Sequence, residues 1–416
     1  MSVFYITSII SMKEGHAMDR FSGLNLTFLW FGAAISVAEV MTGGLLAPLG
    51  FKQGIFVIIV GHIIGGLIMA AAGNIGYEKK LASMESTELT FGKYGKALFS
   101  FLNATQLVGW TVIMLISGGA ATSVLTQNIL SFGSTTTWIV VLGVLIALWL
   151  YVGKGLWKVG NILVGISMLA ITIILIGIGL GTEGVTSMTN QNTLSLGLAI
   201  ELTIVMPISW VPLVADYTRD SKSKLGGNLG TFIGYFIGSS LMYFVGLIAA
   251  LAFGSTDIGS ILLNQGYGPI GVLIIMLSTI STTYLDAFSA GLSVKNLLPG
   301  FSEKHLGTGV VLLSILIALT FPMSAYEGFL LWIGALFVPL FAILITDYYI
   351  LGNQSTSDAL ALVLWILGVG VYRIFVAIDL SIGTTLPAMA LVSLLYYTST
   401  KGMMIWKERK SQSSTT

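Results

Sequence analysis

Apolar residues run in twelve blocks along the chain, at 24–48, 54–77, 97–127, 135–153, 157–181, 194–217, 226–253, 267–297, 307–323, 328–350, 357–378 and 384–402. Charged residues or Gly/Pro/Asn-rich breaks bound each block. A helix needs about 20 apolar residues to cross a bilayer, so the pattern predicts twelve transmembrane helices joined by short loops. All of the 19 Lys and Arg residues except Lys52 and Arg373 fall in loops that alternation assigns to one face. Basic loops stay in the cytoplasm, which predicts cytoplasmic tails at 1–23 and 403–416 of a cell-membrane protein. Residues 1–20 show no signal-peptide pattern, and Met18 is a candidate natural start.

Composition agrees and narrows the function. Of 416 residues 55% are of the AVILMFWYC set and 9% are charged, where a soluble domain carries about 25% charged residues. The loops leave no room for a soluble catalytic or nucleic-acid-binding domain of 50 to 200 residues. The net charge of +1 gives nucleic acid no basic surface to bind. Cysteine is absent, which excludes thiolate chemistry and cysteine-ligated metal centres. His16, His62 and His305 lack metal-ligand spacing, and no GxxxxGK[ST] motif supports an ATP-driven pump. Glu39, Glu201 and Asp286 supply carboxylates for an intramembrane enzyme, but no nucleophile motif accompanies them. A receptor would lack any domain to report occupancy. Secondary transport without a cofactor or protein partner is the class that fits.

Polar groups inside spans are costly and mark function. The eighth block reads LSTISTTYLDAFSAGL, with Thr279, Thr282, Thr283 and Asp286 at i, i+3, i+4 and i+7 on one helical face. Hydroxyls alone often bond back to their own helix. A carboxylate on the same stripe favours oxygen ligands for a cation followed by a polar group facing a cavity. In the first block Gly32, Ala33, Ala34 and Ser36 precede Glu39, and in the sixth Pro207 and Pro212 each remove an amide donor. Both spans are therefore expected to break near their middles. Two interrupted helices five spans apart point to an inverted-repeat transporter with a midplane site. In the third block Asn103, Gln106 and Trp110 share a face, and Trp210 follows the expected break in the sixth. Two tryptophans could clamp a flat ring while polar side chains read its edge. His62 reads as a packed or hydrogen-bonded bundle histidine, Asp216 and Asp347 as interfacial or structurally paired, and most in-span glycines, such as Gly61, Gly65 and Gly66, as close-packing positions.

The stretches TGG at 42–44, QLVGW at 106–110, ADYTR at 215–219, TT at 282–283 and TDYY at 346–349 together resemble the nucleobase–cation symporter-1 family over essentially the whole length. MPISWVPLVADYTR resembles most its hydroxymethylpyrimidine-transporter branch, related to the cytosine permeases. The resemblance implies an all-α, LeuT-like fold: inverted repeats at 24–181 and 194–350, with two further spans at 357–402. It implies a sodium site formed by Gly32, Ile35, Thr279, Thr282 and Thr283. It also implies a substrate pocket with Trp110 and Gln106 on the third span, Ser36 on the first, Pro207, Ser209 and Trp210 on the sixth, and Tyr284 and Asp286 on the eighth. Cytosine permease has asparagines where Tyr284 and Asp286 stand, and a carboxylate can accept from an amino group while its protonated form donates to a ring nitrogen. The expected substrate is therefore a hydroxymethylpyrimidine-like thiamine precursor moved with sodium. The alternatives are cytosine, a purine, allantoin or a hydantoin, with proton coupling through Asp286 or Glu39.

Overall fold

The computed structural model describes residues 20–152, 166, 169, 172–188, 191, 193–353 and 357–413, all of them in helices and their connections apart from one isolated bridge between Phe21 and Ser221. The helices are α1 (Gly23–Ala34), α2 (Val37–Gly44), α3 (Gly50–Lys79), α4 (Ser83–Ser86), α5 (Glu88–Leu130), α6 (Thr135–Val152) and α7 (172–180). They continue with α8 (Leu196–Thr218), α9 (Lys224–Phe253), α10 (Ile258–Asn264), α11 (Gly268–Lys295), α12 (Glu303–Ala318), α13 (Tyr326–Tyr349), α14 (Asp358–Ile378) and α15 (Thr385–Ser413). Among the described residues seven helical stretches are long and apolar enough to cross a bilayer, and α1 and most of α6 are shorter apolar helices. Much of the fifth expected span, the start at Met18, and Lys154 and Lys158 lie outside the described residues. Large apolar side chains such as Leu67, Leu148, Leu273, Leu316 and Ile366 are exposed on the outer helix faces. Such a surface suits lipid rather than water.

The first expected break is present. Helix α1 ends at Ala34, Ile35 (φ −84°, ψ 92°) and Ser36 (φ −147°, ψ 159°) are extended, and α2 starts at Val37. Ser36 is the N-cap, its hydroxyl accepting from the Glu39 amide at 3.2 Å, so the chain re-enters a helix at once.

The sixth span corrects the expectation. Helix α8 is continuous through Pro207 and Pro212. Polar side chains from other helices reach its backbone: Tyr243 donates to the Leu202 carbonyl at 2.9 Å, Gln106 to that of Ser209 at 3.0 Å and Asn103 to that of Pro212 at 3.2 Å. The Ser83 hydroxyl accepts from the Ala215 amide at 2.8 Å and lies 3.5 Å from the Val211 carbonyl. These bonds clasp α8 from its neighbours, although none of them reaches the Thr203 or Ile208 carbonyl, the two whose helical donors the prolines remove.

Two packed groups result. Helices α1, α2, α3, α8 and α9 form one, and α5, α6, α11 and α12 the other, with α13 to α15 against α8 and α5. Small residues bring backbones together in the first group. A Cβ on Gly234 of α9 would lie 2.3 Å from the Thr27 carbonyl oxygen of α1, and one on Gly61 of α3 would lie 1.9 Å from Thr203 Oγ1 of α8. Helix α5 bends at Gly92 (φ 65°, ψ −173°), where a Cβ would lie 2.1 Å from the Asp358 carboxylate.

Candidate functional site

The break in α1 faces α11, and oxygen atoms gather between them. The Ile35 carbonyl, unused by any helix, accepts from Ser278 Oγ at 2.7 Å and lies 3.4 Å from Thr282 Oγ1. The Gly32 carbonyl is also 3.4 Å from Thr282 Oγ1 and accepts from the Ile35 amide at 3.2 Å. Thr283 Oγ1, one residue on, is buried with no hydrogen-bond partner. The Ile35 and Gly32 carbonyls at the break, the Thr282 hydroxyl and the unpaired Thr283 hydroxyl next to it in sequence are oxygen atoms of the kind a small hard cation takes as ligands. Ser278 completes this cluster and was not singled out in the sequence, although it stands one turn before Thr282.

Thr279 turns elsewhere. A Cβ on Gly118 of α5 would lie 2.3 Å from its Oγ1, so its hydroxyl, also buried without a hydrogen-bond partner, faces α5. Of the expected stripe, Thr282 thus turns toward α1, where Ser278 joins it, and Thr279 toward α5.

The α5 side carries the aromatic and amide groups. Gln106 donates through Nε2 to Asn103 Oδ1 at 2.8 Å and to the Ser209 carbonyl at 3.0 Å, while its Oε1 is buried without a partner. One turn further, Trp110 packs edge-on against Tyr326 and Phe329, with ring centroids 6.2 and 5.5 Å away, and its indole N–H is also buried without a partner. A free acceptor and a free donor thus lie on one face of α5. Buried polar atoms are normally satisfied, and this pair is a donor and an acceptor one turn apart, open to a polar ligand.

Asp286 belongs at the same level. Thr279 meets Gly118 and Ser293 accepts from Asn103 at 2.8 Å, so α5 and α11 run antiparallel, and Asp286, midway between 279 and 293, falls level with Trp110 and Thr111. The heptad spacing 279, 286, 293 keeps it on the α5-facing side. It is 3% exposed, and none of the described residues donates a hydrogen bond to it. Tyr217 of α8 is within its electrostatic reach.

Trp210, next to Ser209, packs edge-on against Trp30 of α1 at 5.8 Å and tilted against Tyr235 at 6.2 Å. Tyr284 stacks on Phe288 at 6.1 Å. The Ser209 hydroxyl bonds back to the Met206 carbonyl at 2.6 Å, so it presents its carbonyl rather than its side chain. Pro207 packs on α3, 2.2 Å from where a Cβ on Gly65 would stand. A cleft of about 290 Å³ borders Val37, Met41, Ile116, Ser117 and Asp257. A polar one of about 270 Å³ borders Glu85, Asp216, Arg219, Ser293 and Lys295. The two open at opposite ends of the α5–α11 pair, on either side of the Trp110 level.

Other buried carboxylates are occupied structurally. Asp216 accepts from the Ser83 amide at 3.0 Å and Asp347 from Thr90 at 2.8 Å. Glu201 accepts from Tyr372 at 2.5 Å, from the Thr384 and Thr385 amides at 2.7 Å and from Thr385 Oγ1 at 2.6 Å.

Comparison with known proteins gives a consistent result. Residues 20–364 match the family described as permease for cytosine/purines, uracil, thiamine, allantoin. Cytosine permease of Escherichia coli strain K12 is 25% identical over 335 residues, covering 78% of this chain and 77% of that one. Among solved structures, Mhp1, a nucleobase-cation-symport-1 family transporter, closed with bromovinylhydantoin bound, superposes with a TM-score of 0.76 at 18% identity, covering 92% of this chain and 94% of that one. Mhp1 in its inward-facing conformation gives a TM-score of 0.77 at 18% identity over 95% of each chain.

Proposed function

The chain belongs to the nucleobase–cation symporter-1 family, an integral-membrane transporter of small nucleobase-type molecules rather than an enzyme, and from that premise we propose that it imports a hydroxymethylpyrimidine-like substrate together with sodium. The observation that carries the substrate is Asp286: a buried carboxylate level with Trp110, receiving no hydrogen bond from the described residues. An aminopyrimidine offers the amino donor such a group lacks, with a ring nitrogen beside it. The free Gln106 oxygen reads the remaining edge, Trp110 and Trp210 hold the ring faces, and the in-plane Trp110 N–H meets the hydroxymethyl oxygen that projects beyond the ring.

Sodium is held by the Gly32 and Ile35 carbonyls, the Thr279 carbonyl and the Thr282 and Thr283 hydroxyls, which ties α1 to α11. Twelve spans with an inverted repeat at 24–181 and 194–350, and both termini in the cytoplasm, complete the reading. The α1–α2–α3–α8–α9 group rocks against the α5–α6–α11–α12 group, exposing the pocket first to one cleft and then to the other. No bond is made or broken.

Cytosine is the second reading, favoured by the 25% identity to cytosine permease. Uptake of labelled hydroxymethylpyrimidine and of cytosine into proteoliposomes under an inward sodium gradient separates the two. Asp286→Ala is expected to abolish hydroxymethylpyrimidine uptake, and unchanged uptake in that variant would overturn the substrate assignment.

A further inference from the structure

A second polar cluster lies on the far side of α2 from α11. Glu39 is 2% exposed, and its Oε1 accepts from Tyr235 of α9 at 2.7 Å. Its Oε2 is 2.7 Å from Ser239 Oγ of the same helix. Ser239 Oγ is in turn 2.6 Å from His62 Nε2 on α3, and His62 Nδ1 is 2.7 Å from the Ile58 carbonyl.

A carbonyl only accepts, so Nδ1 carries a hydrogen. Two contacts remain, Nε2 to Oγ and Oγ to Oε2, and each needs one proton. The serine supplies one. With an ionised Glu39 and a neutral His62, the other contact has none. One additional proton completes the set, either on Nε2, with donation running from His62 through Ser239 to Glu39, or on Oε2, with donation running the opposite way. Both arrangements leave the cluster with no net charge, which apolar surroundings favour strongly.

The remaining groups facing the cluster do not alter the count. Tyr235 and Tyr243 of α9 and Tyr326 of α13 lie within electrostatic reach of Glu39. Tyr243 packs edge-on to His62 at 4.6 Å, and its hydroxyl donates to the Leu202 carbonyl. Among the described residues no Lys, Arg or second carboxylate forms an ion pair or hydrogen bond with Glu39 or His62.

We propose that Glu39, Ser239 and His62 form a proton-binding site that holds one proton shared through the serine hydroxyl and so fastens α2 to α3 and α9. Glu39 touches the proposed substrate groups only through its backbone amide, whose hydrogen bond Ser36 accepts, and its carboxylate and the His62 ring bond to none of the cation or substrate groups, so the site does not depend on which substrate is carried.

Thermal unfolding of the full chain in detergent, followed across pH, tests it. Above the ordinary histidine range, roughly pH 6.5, the unfolded chain has released this proton while the folded one keeps it. Folding stability then falls as pH rises, by a factor of ten in the equilibrium per pH unit for one proton. In Glu39→Gln the amide donates permanently to Ser239 and its oxygen still accepts from Tyr235, so this tenfold slope is expected to vanish. Ser239→Ala removes the shared hydroxyl without changing charge and is expected to remove it too. A wild-type slope retained in either folded variant, or no slope in the wild type, would overturn the proposal. If neither variant folds, ¹⁵N-histidine NMR of the wild type decides, since the chain has three histidines. A His62 signal carrying or exchanging the extra proton supports the site, and one that stays singly protonated beside an ionised Glu39 refutes it.

Discussion

Replacing Trp110 by Phe separates the two tasks assigned to that residue, because it keeps an aromatic face and deletes only the indole N–H and part of the ring. In the resting protein this N–H is buried without an acceptor, and an unsatisfied buried donor costs about 1–3 kcal/mol. Its removal relieves that cost and offsets the packing lost against Tyr326 and Phe329. The net change in stability is expected to stay within about 1 kcal/mol, against roughly 3–5 kcal/mol for truncation of a buried Trp to Ala. On the proposed assignment the N–H gains an acceptor in the substrate complex, so the same change is expected to weaken binding by about 1–3 kcal/mol, roughly 5- to 150-fold. Equilibrium binding of labelled substrate at saturating sodium, together with thermal unfolding in detergent, reads both quantities. Trp149→Phe is the control: its indole N–H is also buried and unpaired, but it stands on α6 away from the pocket, and affinity is expected to hold. Wild-type affinity in Trp110→Phe would show that the N–H does not read the substrate. A stability loss of about 3 kcal/mol or more would show that the donor was never unsatisfied.

The other structural assignments make equally direct predictions. Joint replacement of Thr282 and Thr283 by Ala is expected to raise the sodium concentration for half-maximal uptake at least about tenfold, in keeping with a coupling of about 1–3 kcal/mol, while sodium-free substrate affinity holds; a sodium response identical to wild type refutes the cation site. Ser83→Ala strips the Ala215 amide of its 2.8 Å partner and is expected to lower stability by about 1–3 kcal/mol, measured by thermal unfolding. Gly234→Ala drives a Cβ to 2.3 Å from the Thr27 carbonyl oxygen and is expected to cost about 1–3 kcal/mol as overpacking. Gly370→Ala meets nothing within 4 Å and is expected to be neutral or to gain up to about 1 kcal/mol of helix propensity; equal effects of the two glycine changes would refute the close-packing account.

What could be read from the chain alone divides by the range of the interactions involved. The break at Ile35–Ser36 was visible because its causes are local: small residues, then a serine placed to cap the next helix. The break expected in α8 is not found: the helix runs through both prolines, and the side chains that clasp it are distant in sequence. Ser83, Asn103, Gln106 and Tyr243 reach its backbone from three other helices, and no local pattern announces such donors. The hydroxyl stripe on α11 was visible as helical spacing, but its division between α1 and α5 required Gly118 to be seen against Thr279. Trp110 and Gln106 were visible as a polar-aromatic face. That each keeps one unpaired polar atom depends on Tyr326, Phe329 and Asn103, whose positions only the packed structure supplies.

The contacts between α1 and α11 also bear on how a bound ion would act at a distance from the substrate. Of the two hydroxyls that reach the released carbonyls, Ser278 makes a short bond of 2.7 Å, whereas both Thr282 contacts are 3.4 Å and Thr283 bonds to nothing. The protein's own oxygens thus brace α1 against α11 incompletely. A cation shared by these atoms would give Thr283 a role and draw the break toward α11, and Ser36, which follows the break directly, would be fixed with it. Any substrate that needs Ser36 and Trp210 in place then binds more tightly when the ion is present, and by linkage the ion binds more tightly when the substrate is present. Because the coupling depends on one unwound segment rather than on direct contact between ion and substrate, substrates of different ring chemistry could be driven by the same site.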